Sequence, residues 1–182
     1  MTLNEIISAS LGRLERGTDA QTIAFYRDEF ANYANKAVKK IALKFHQNLK
    51  ETVNLDGEHT FDLSQLTHEA FKIMDVRAAG RPVDFWQETM GSGRFTCATK
   101  ETTVDVIYRF VPKRMSSSTD KPELPEYMHD IIPHYVVACA RCGGDPSTQG
   151  TASADFQLFN QELSDLLAAS RGEPRSYKLM NY

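Results

Sequence analysis

Cysteine is scarce: the chain has three in 182 residues, an odd number that does not make a disulfide framework and points to a reducing compartment. No long apolar run exists. The longest uninterrupted one, Tyr135 to Ala140, falls far short of the roughly 18 residues a membrane helix requires, so no membrane partner is expected. The first residues, Met1-Thr2-Leu3-Asn4-Glu5, offer no basic region followed by an apolar stretch, and no secretory signal is expected. Positive charge is not in surplus. With 21 Lys plus Arg against 24 Asp plus Glu the net charge is −3, which argues against duplex DNA binding through a concentrated basic face. Hydrophobic residues at 41% and charged residues at 25% lie near the globular average and exclude global disorder or collagen-like repetition. A chain this long can bury about 70% of its unfolded surface, so one domain with a real core is expected without metal or disulfide staples.

Helical periodicity opens the chain. Leu3, Ile6, Ile7, Leu11 and Leu14 mark a short amphipathic helix over Asn4–Glu15, with Gly17 as the left-handed residue that ends it. Thr18 followed by Gln21 fits a capping box for a second helix. That helix is long: Ile23, Tyr26, Phe30, Ala34, Ala37, Ile41, Phe45 and Leu49 recur every three or four residues without Gly or Pro. Some 30 residues at about 1.5 Å each make a rod of roughly 45 Å.

The period then changes. Thr52–Leu55 and Glu58–Phe61 read as a hairpin around Asp56-Gly57. Asp62–Glu69 reads as one helical turn or two. Phe71–Val76 and Arg81–Trp86 form a second hairpin around Ala79-Gly80, and Arg94–Thr99 and Thr103–Val111 add two strands. Val104, Val106, Tyr108 and Phe110 alternate as in a half-buried strand, which Pro112 closes. A Ser-, Pro- and Lys-rich linker leads to a helix beginning near Pro125, with Met128, Ile131, Ile132, Tyr135, Cys139 and Cys142 as its buried stripe. Pro133 should kink this helix, and Gly143-Gly144 should stop it. After a polar loop, Asp145–Ala152, the last helix carries Phe156, Phe159, Leu163, Leu166 and Leu167, with Ser153 or Thr151 as N-cap. The expected fold is α+β: a helical bundle of two N-terminal and two C-terminal helices (1–50 and 124–170), an inserted small antiparallel β-sheet (51–113), a linker (114–123) and an extended C-terminal arm (171–182). Residues 1–170 form a single domain in this reading.

Motifs that would carry catalysis are weak. Cys139-Ala140-Arg141-Cys142 is a CxxC, but it falls at the C-terminal end of a helix, where the dipole raises a thiol pKa. Cys97 adds no second pair for zinc, so core packing is expected. His129 and His134 lie five apart, about 140° around a helix, and cannot face one metal. Asp130 and His134 read as a surface pair. His68-Glu69 lacks the second His of a zinc helix, and Gly91-Ser92-Gly93 lacks the third Gly or Lys of a phosphate loop. The chain reads as a non-enzyme with no cofactor and no metal.

Other features point to assembly. The arm carries Arg175, Tyr177, Lys178, Leu179, Met180 and Tyr182, aromatic and basic residues suited to docking on a neighbour. A small sheet within a helical bundle leaves edges that something must cover, and self-assembly would cover them. Lys36, Lys39, Lys40, Lys44 and Lys50 read first as a solvated face.

The stretch Glu123-Leu124-Pro125-Glu126-Tyr127-Met128-His129-Asp130-Ile131-Ile132, followed by Tyr135 and Ala138, resembles the penultimate helix of tailed-bacteriophage head–tail connector proteins. Leu66–Val83, with Ile73, Val76, Gly80 and Val83, is similar to the strand pair that precedes it there, and the order of the Val104–Pro112 strand, linker and Leu-Pro-Glu matches. The resemblance implies a structural virion protein at the head–tail interface, made and assembled in the host cytoplasm. It implies a dodecameric ring beneath the portal that continues the DNA channel and attaches the neck or tail. Its partners would be other copies of itself, the portal protein and the next neck or tail protein. By position, Arg175, Tyr177, Lys178, Leu179, Met180 and Tyr182 become the portal or neighbour contact. Lys36, Lys40 and Lys44 become a channel lining in transient, non-specific contact with DNA. A small cytosolic binding module, or an enzyme with an unrecognised site, is the alternative; a tail-completion protein is a third.

Overall fold

The computed structural model describes residues 1–45, 47–143 and 149–170. They form a mixed α+β chain with helices α1 (Leu3–Arg13), α2 (Ala20–Phe45), α3 (Ile132–Cys142) and α4 (Gln149–Ser170). The strands are β1 (Asn48–Asn54), β2 (Thr60–Asp62), β3 (Ala70–Ala78), β4 (Arg81–Pro82), β5 (Phe85–Gln87), β6 (Arg94–Cys97) and β7 (Thr103–Phe110). Two compact units result. Among the described residues, a helical unit comprises 1–37, 117–121 and those from Pro125 onward, and a sheet unit comprises those of 38–116 and 122–124. The arm expected at 171–182 lies outside the described residues.

In the helical unit, α1 starts on a capping box made by Thr2 and Glu5, each side chain satisfying a backbone N–H that the first turn leaves unpaired. Its C-terminus closes on Glu15 (φ 56°), with Arg16 N–H donating to Leu11 O and Glu15 N–H to Gly12 O. Glu15, rather than Gly17, therefore takes the left-handed position. The cap of α2 also differs from expectation. Asp19 Oδ1 accepts from the N–H groups of Gln21 and Thr22, both at 3.0 Å, so Asp19 displaces the Thr18–Gln21 box.

Leu3, Ile6, Ile7 and Leu11 of α1 and Phe30, Ala34 and Ala37 of α2 are buried, as the first two amphipathic stripes require, but α2 ends at Phe45 and Leu49, expected on its stripe, lies on β1. The Pro125-started segment opens as a 3-10 helix over Glu126–Ile131, and α3 follows with Pro133 in its first turn. Proline there costs no hydrogen bond, because a first-turn N–H has no helical partner. No kink inside a long helix results. Ser153 and Thr151 lie within α4 and do not cap it. Tyr135 joins α3 to α4 by edge contacts with Phe156 and Phe159, ring centroids 5.5 and 5.1 Å apart. The Ser-rich stretch is tied down as well: Leu3 N–H donates to Asp120 O (2.8 Å) and Asn4 N–H to Ser118 O (3.1 Å).

The sheet unit holds two antiparallel sheets, β1-β7-β3-β4 and β2-β6-β5. The expected hairpin around Asp56-Gly57 does not form: β1 pairs with β7 from Asn48↔Arg109 to Asn54↔Thr103, and β2 pairs with β6. Asp56 accounts for the divergence. Its carboxylate accepts from Glu58 N–H (3.0 Å), Thr60 N–H (2.8 Å) and Thr60 Oγ1, and His59 takes φ 57°. This local bonding turns the chain out of the first sheet and into the second. The second hairpin is real but short. Ala79 (φ 49°) and Gly80 (φ 78°) link Ala78↔Arg81, after which the chain again changes sheet to form β5. Val53, Val76, Val104, Val106, Tyr108 and Phe110 of the first sheet share one core with Phe61 and Cys97 of the second.

Candidate functional site

The most unusual surface is on β3. Its pairing with β7 steps from Ala70↔Phe110 to Lys72↔Arg109 and from Ile73↔Tyr108 to Asp75↔Ile107. Phe71 and Met74 are thus the extra residues of two bulges three positions apart. Strict alternation inward from Val76 would place Met74, Lys72 and Ala70 in the core and expel Ile73. Each bulge shifts that alternation by one residue, so Ile73 turns inward and packs on the core while Lys72 stays outside. The consequence is two large apolar side chains in water, Phe71 at 55% and Met74 at 38% exposure. Beside them the edge of β3 from Ala70 to Asp75 has no described strand, because β4 pairs only with Arg77 and Ala78. Trp86, on edge strand β5 of the second sheet, is also exposed.

The lysines expected to form a lining all lie on α2. Lys36 and Lys44 are exposed and Lys40 is half-buried; spacings of four residues carry the three through about 80° of the helix circumference. Lys50 sits instead on β1, paired with Asp105 at 2.8 Å. Arg175, Tyr177, Lys178, Leu179, Met180 and Tyr182 lie outside the described residues.

Two clusters of titratable groups escaped the sequence reading, because their members are distant along the chain. In the sheet unit, Tyr108 donates to Glu51 Oε1 and Thr67 N–H to Glu51 Oε2 (2.9 Å). His68 lies 3.2 Å from Glu123 Oε1 and meets the Phe110 ring at a tilt, centroids 4.9 Å apart, and Glu123 Oε2 accepts from Lys113 N–H at 2.7 Å. Burial and the Glu51 hydrogen bond raise the Tyr108 pKa. Burial opposes ionisation of Glu51, but the Tyr108 and Thr67 hydrogen bonds outweigh it and its pKa falls. The arrangement fastens β1, β7, Thr67–His68 and Lys113–Glu123 together, and no cavity adjoins it among those described.

In the helical unit, a cleft of about 460 Å³ is lined by Arg13, Tyr127, Asp130 and His134, together with Ile131 and three residues of α4, Glu162, Asp165 and Leu166. The Arg13 guanidinium reaches His134 Nδ1 at 2.6 Å, and Glu162 lies 3.4 Å from His134 Nε2. Burial and then the Arg13 charge lower the His134 pKa against the opposing pull of Glu162 and Asp155. The ring is therefore held by α1 and α4, not by an Asp130 partner on its own helix as the i, i+4 spacing suggested. His129 points elsewhere, buried beside the Met1 amine at 2.8 Å.

Cys139 and Cys142 fall in the last turn of α3. Cys142 is exposed, contrary to the expectation of core packing; Cys97 is buried, and burial pushes its thiol pKa up. Gly91-Ser92-Gly93 belongs to the turn between β5 and β6, with Gly91 at φ 85° and no helix following to receive a phosphate. Among the described residues no three His, Cys, Asp or Glu side chains are grouped to hold a metal, and no helix is long and apolar enough to cross a membrane. No family model matches the chain, and no curated protein matches it.

Proposed function

We propose that this chain is a structural head–tail connector of a tailed-phage virion, a non-enzymatic ring subunit beneath the portal that extends the DNA channel and attaches the neck or tail. In this reading the helices form a bundle into which the β-sheet unit is inserted, and the C-terminal arm contacts the portal or the neighbouring subunit. Lys36, Lys40 and Lys44 face the channel. The observation that supports it best is the outer side of β3. Phe71 and Met74 stand exposed beside an edge without a described strand, and a subunit surface of that kind is covered when copies assemble. The bulges make the strand a poor template for open-ended pairing, while the two side chains remain available to fit a defined neighbour.

The test is native mass spectrometry with negative-stain imaging of the full chain, of a form ending at Ser170, and of Phe71→Ser/Met74→Ser. The full chain should form rings and the double variant should not, with its thermal melting unchanged. A ring lost in the short form assigns the arm to the neighbouring subunit; a ring kept assigns it to the portal. A wild-type chain that stays monomeric and is not recruited by a portal ring would overturn the connector reading. The cleft around His134 favours the second reading, a small binding module, which then becomes the working hypothesis.

A further inference from the structure

Val104, Val106, Tyr108 and Phe110 of β7 are buried, so alternation turns Ile107 and Arg109 to the opposite face of the sheet. Phe71 and Lys72 both oppose Arg109, and Met74 and Asp75 both oppose Ile107, because each bulge sets two residues against one. The exposed Phe71 and Met74 therefore stand among charges, and the surplus is positive. Asp75 is bonded to Arg77 at 2.7 Å. Lys72 and Arg109 have no carboxylate partner among the described residues, and Arg109 Nε is buried there without a hydrogen-bond partner.

The groove in the helical unit has the opposite character. Its floor is Ile131 and Leu166, and its rim is the half-exposed Tyr127. Its walls carry the carboxylates of Asp130, Glu162 and Asp165 against one guanidinium, Arg13, which is already engaged with His134. At about 460 Å³ it lies in the range of pockets that take a drug-sized ligand, more than one aromatic side chain fills. An apolar face bordered by cations thus has its counterpart in an apolar groove bordered by carboxylates, and this chain carries both.

We propose that these two surfaces meet between copies: the outer side of β3 in one molecule docks into the groove of the next, with Phe71 and Met74 over its floor and Lys72 and Arg109 against its carboxylates. The contact rests on the connector reading and deepens it, since it names the neighbour's surface that covers β3. Because the two surfaces differ, the contact is heterologous. Each copy uses its face on one neighbour and its groove on the other, the arrangement that closes into a ring when the rotation between copies allows. A β3 face meeting its own kind across a two-fold axis would bring the cations of both copies together, which like-charge repulsion opposes.

The experiment is native mass spectrometry, with thermal melting as the control for folding, on four full-length samples. They are wild type, the face variant Phe71→Ser/Lys72→Glu, the groove variant Glu162→Lys/Asp165→Lys, and an equimolar mixture of the two variants. Wild type should assemble beyond a dimer, and each variant alone should lose at least about tenfold in association and run as a monomer. The mixture should recover a dimer of one chain of each kind and stop there. The intact face of one chain fits the intact groove of the other, and the two surfaces left over are both altered. Glu162→Gln/Asp165→Asn serves if the lysine pair melts early, and should weaken association severalfold. Assembly of either variant as strongly as wild type would overturn this contact, and a ring so formed would leave the connector reading standing on other surfaces. A mixture without the mixed dimer would overturn the pairing of face with groove. A wild type still monomeric at about 100 μM would overturn it too, and recruitment by a portal ring then decides the connector reading separately.

Discussion

Asp56 has the most heavily used carboxylate described in the sheet unit. The Thr60 hydroxyl and backbone N–H, then Glu58 N–H and the Arg94 guanidinium, hold its pKa at about 2 against an ordinary 3.8. Because the folded value is the lower one, the stabilisation is fully present above about pH 4 and is lost as pH falls from 3.8 towards 2. Asp56→Asn should therefore show a shallower loss of stability between pH 4 and pH 2 than wild type, read by urea melts at each pH. An equal slope would mean the corner at Asp56-Gly57 is not held by charge. Tyr108 makes a second residue-scale case. Its hydroxyl is buried and donates to Glu51, so Tyr108→Phe leaves one carboxylate oxygen short of a donor and should cost about 1–2 kcal/mol in denaturant melts. Neither contact could be read from the sequence. Glu51 and Tyr108 are 57 positions apart, and alternation along each strand shows which way a side chain points without naming the strand opposite.

The elements divide along the same line. Thr103–Phe110 was legible because its alternate residues are buried all along its length. So were the stripes of the first helix and of the second as far as Phe45, whose period needs no knowledge of a partner; Leu49 continues that period yet belongs to β1. Strand pairing was not legible: Thr52–Leu55 and Glu58–Phe61 look like neighbours in a hairpin, yet the hydrogen bonds of Asp56 send them to different sheets. Pro133 misled for a related reason, since its position relative to the helix start decides whether it breaks a hydrogen bond or merely lacks one nobody needs. The bulges of β3 were hidden too. Only the register with β7 shows that Phe71 and Met74 are surplus residues, so the candidate assembly surface emerged from pairing rather than pattern. One element-scale prediction follows from the turn after β3. Ala79 holds φ 49° in a two-residue loop where both central residues have positive φ, a conformation that Asn-Gly adopts more readily than Ala-Gly. Ala79→Asn should stabilise the sheet unit by about 0.5–1 kcal/mol, raising Tm by roughly 2–4 °C. A lower Tm would show that Ala79 makes a contact worth more than the strain it carries.

On the scale of the whole chain, each compact unit has a core of its own, and α2 passes through the division at residues 37 and 38. The single tryptophan, Trp86, lies in the sheet unit, whereas α1, α3 and α4 lie in the helical unit. Fluorescence and far-UV ellipticity therefore report largely on different halves. Phe61 is buried and stacks on Phe95 with ring centroids 5.6 Å apart, so Phe61→Ala should destabilise the sheet unit by about 3–5 kcal/mol through lost burial and the cavity left behind. In urea the fluorescence transition of that variant should move to lower concentration ahead of the ellipticity transition, because the buried side chains of α1, α3 and α4 are untouched. Coincident transitions in both wild type and variant would instead mark one cooperative unit, with α2 transmitting the loss from one core to the other. In that event Phe159→Ala, in the core of the helical unit, should shift the Trp86 signal equally. If the units separate, it should leave Trp86 nearly unmoved while lowering the ellipticity midpoint.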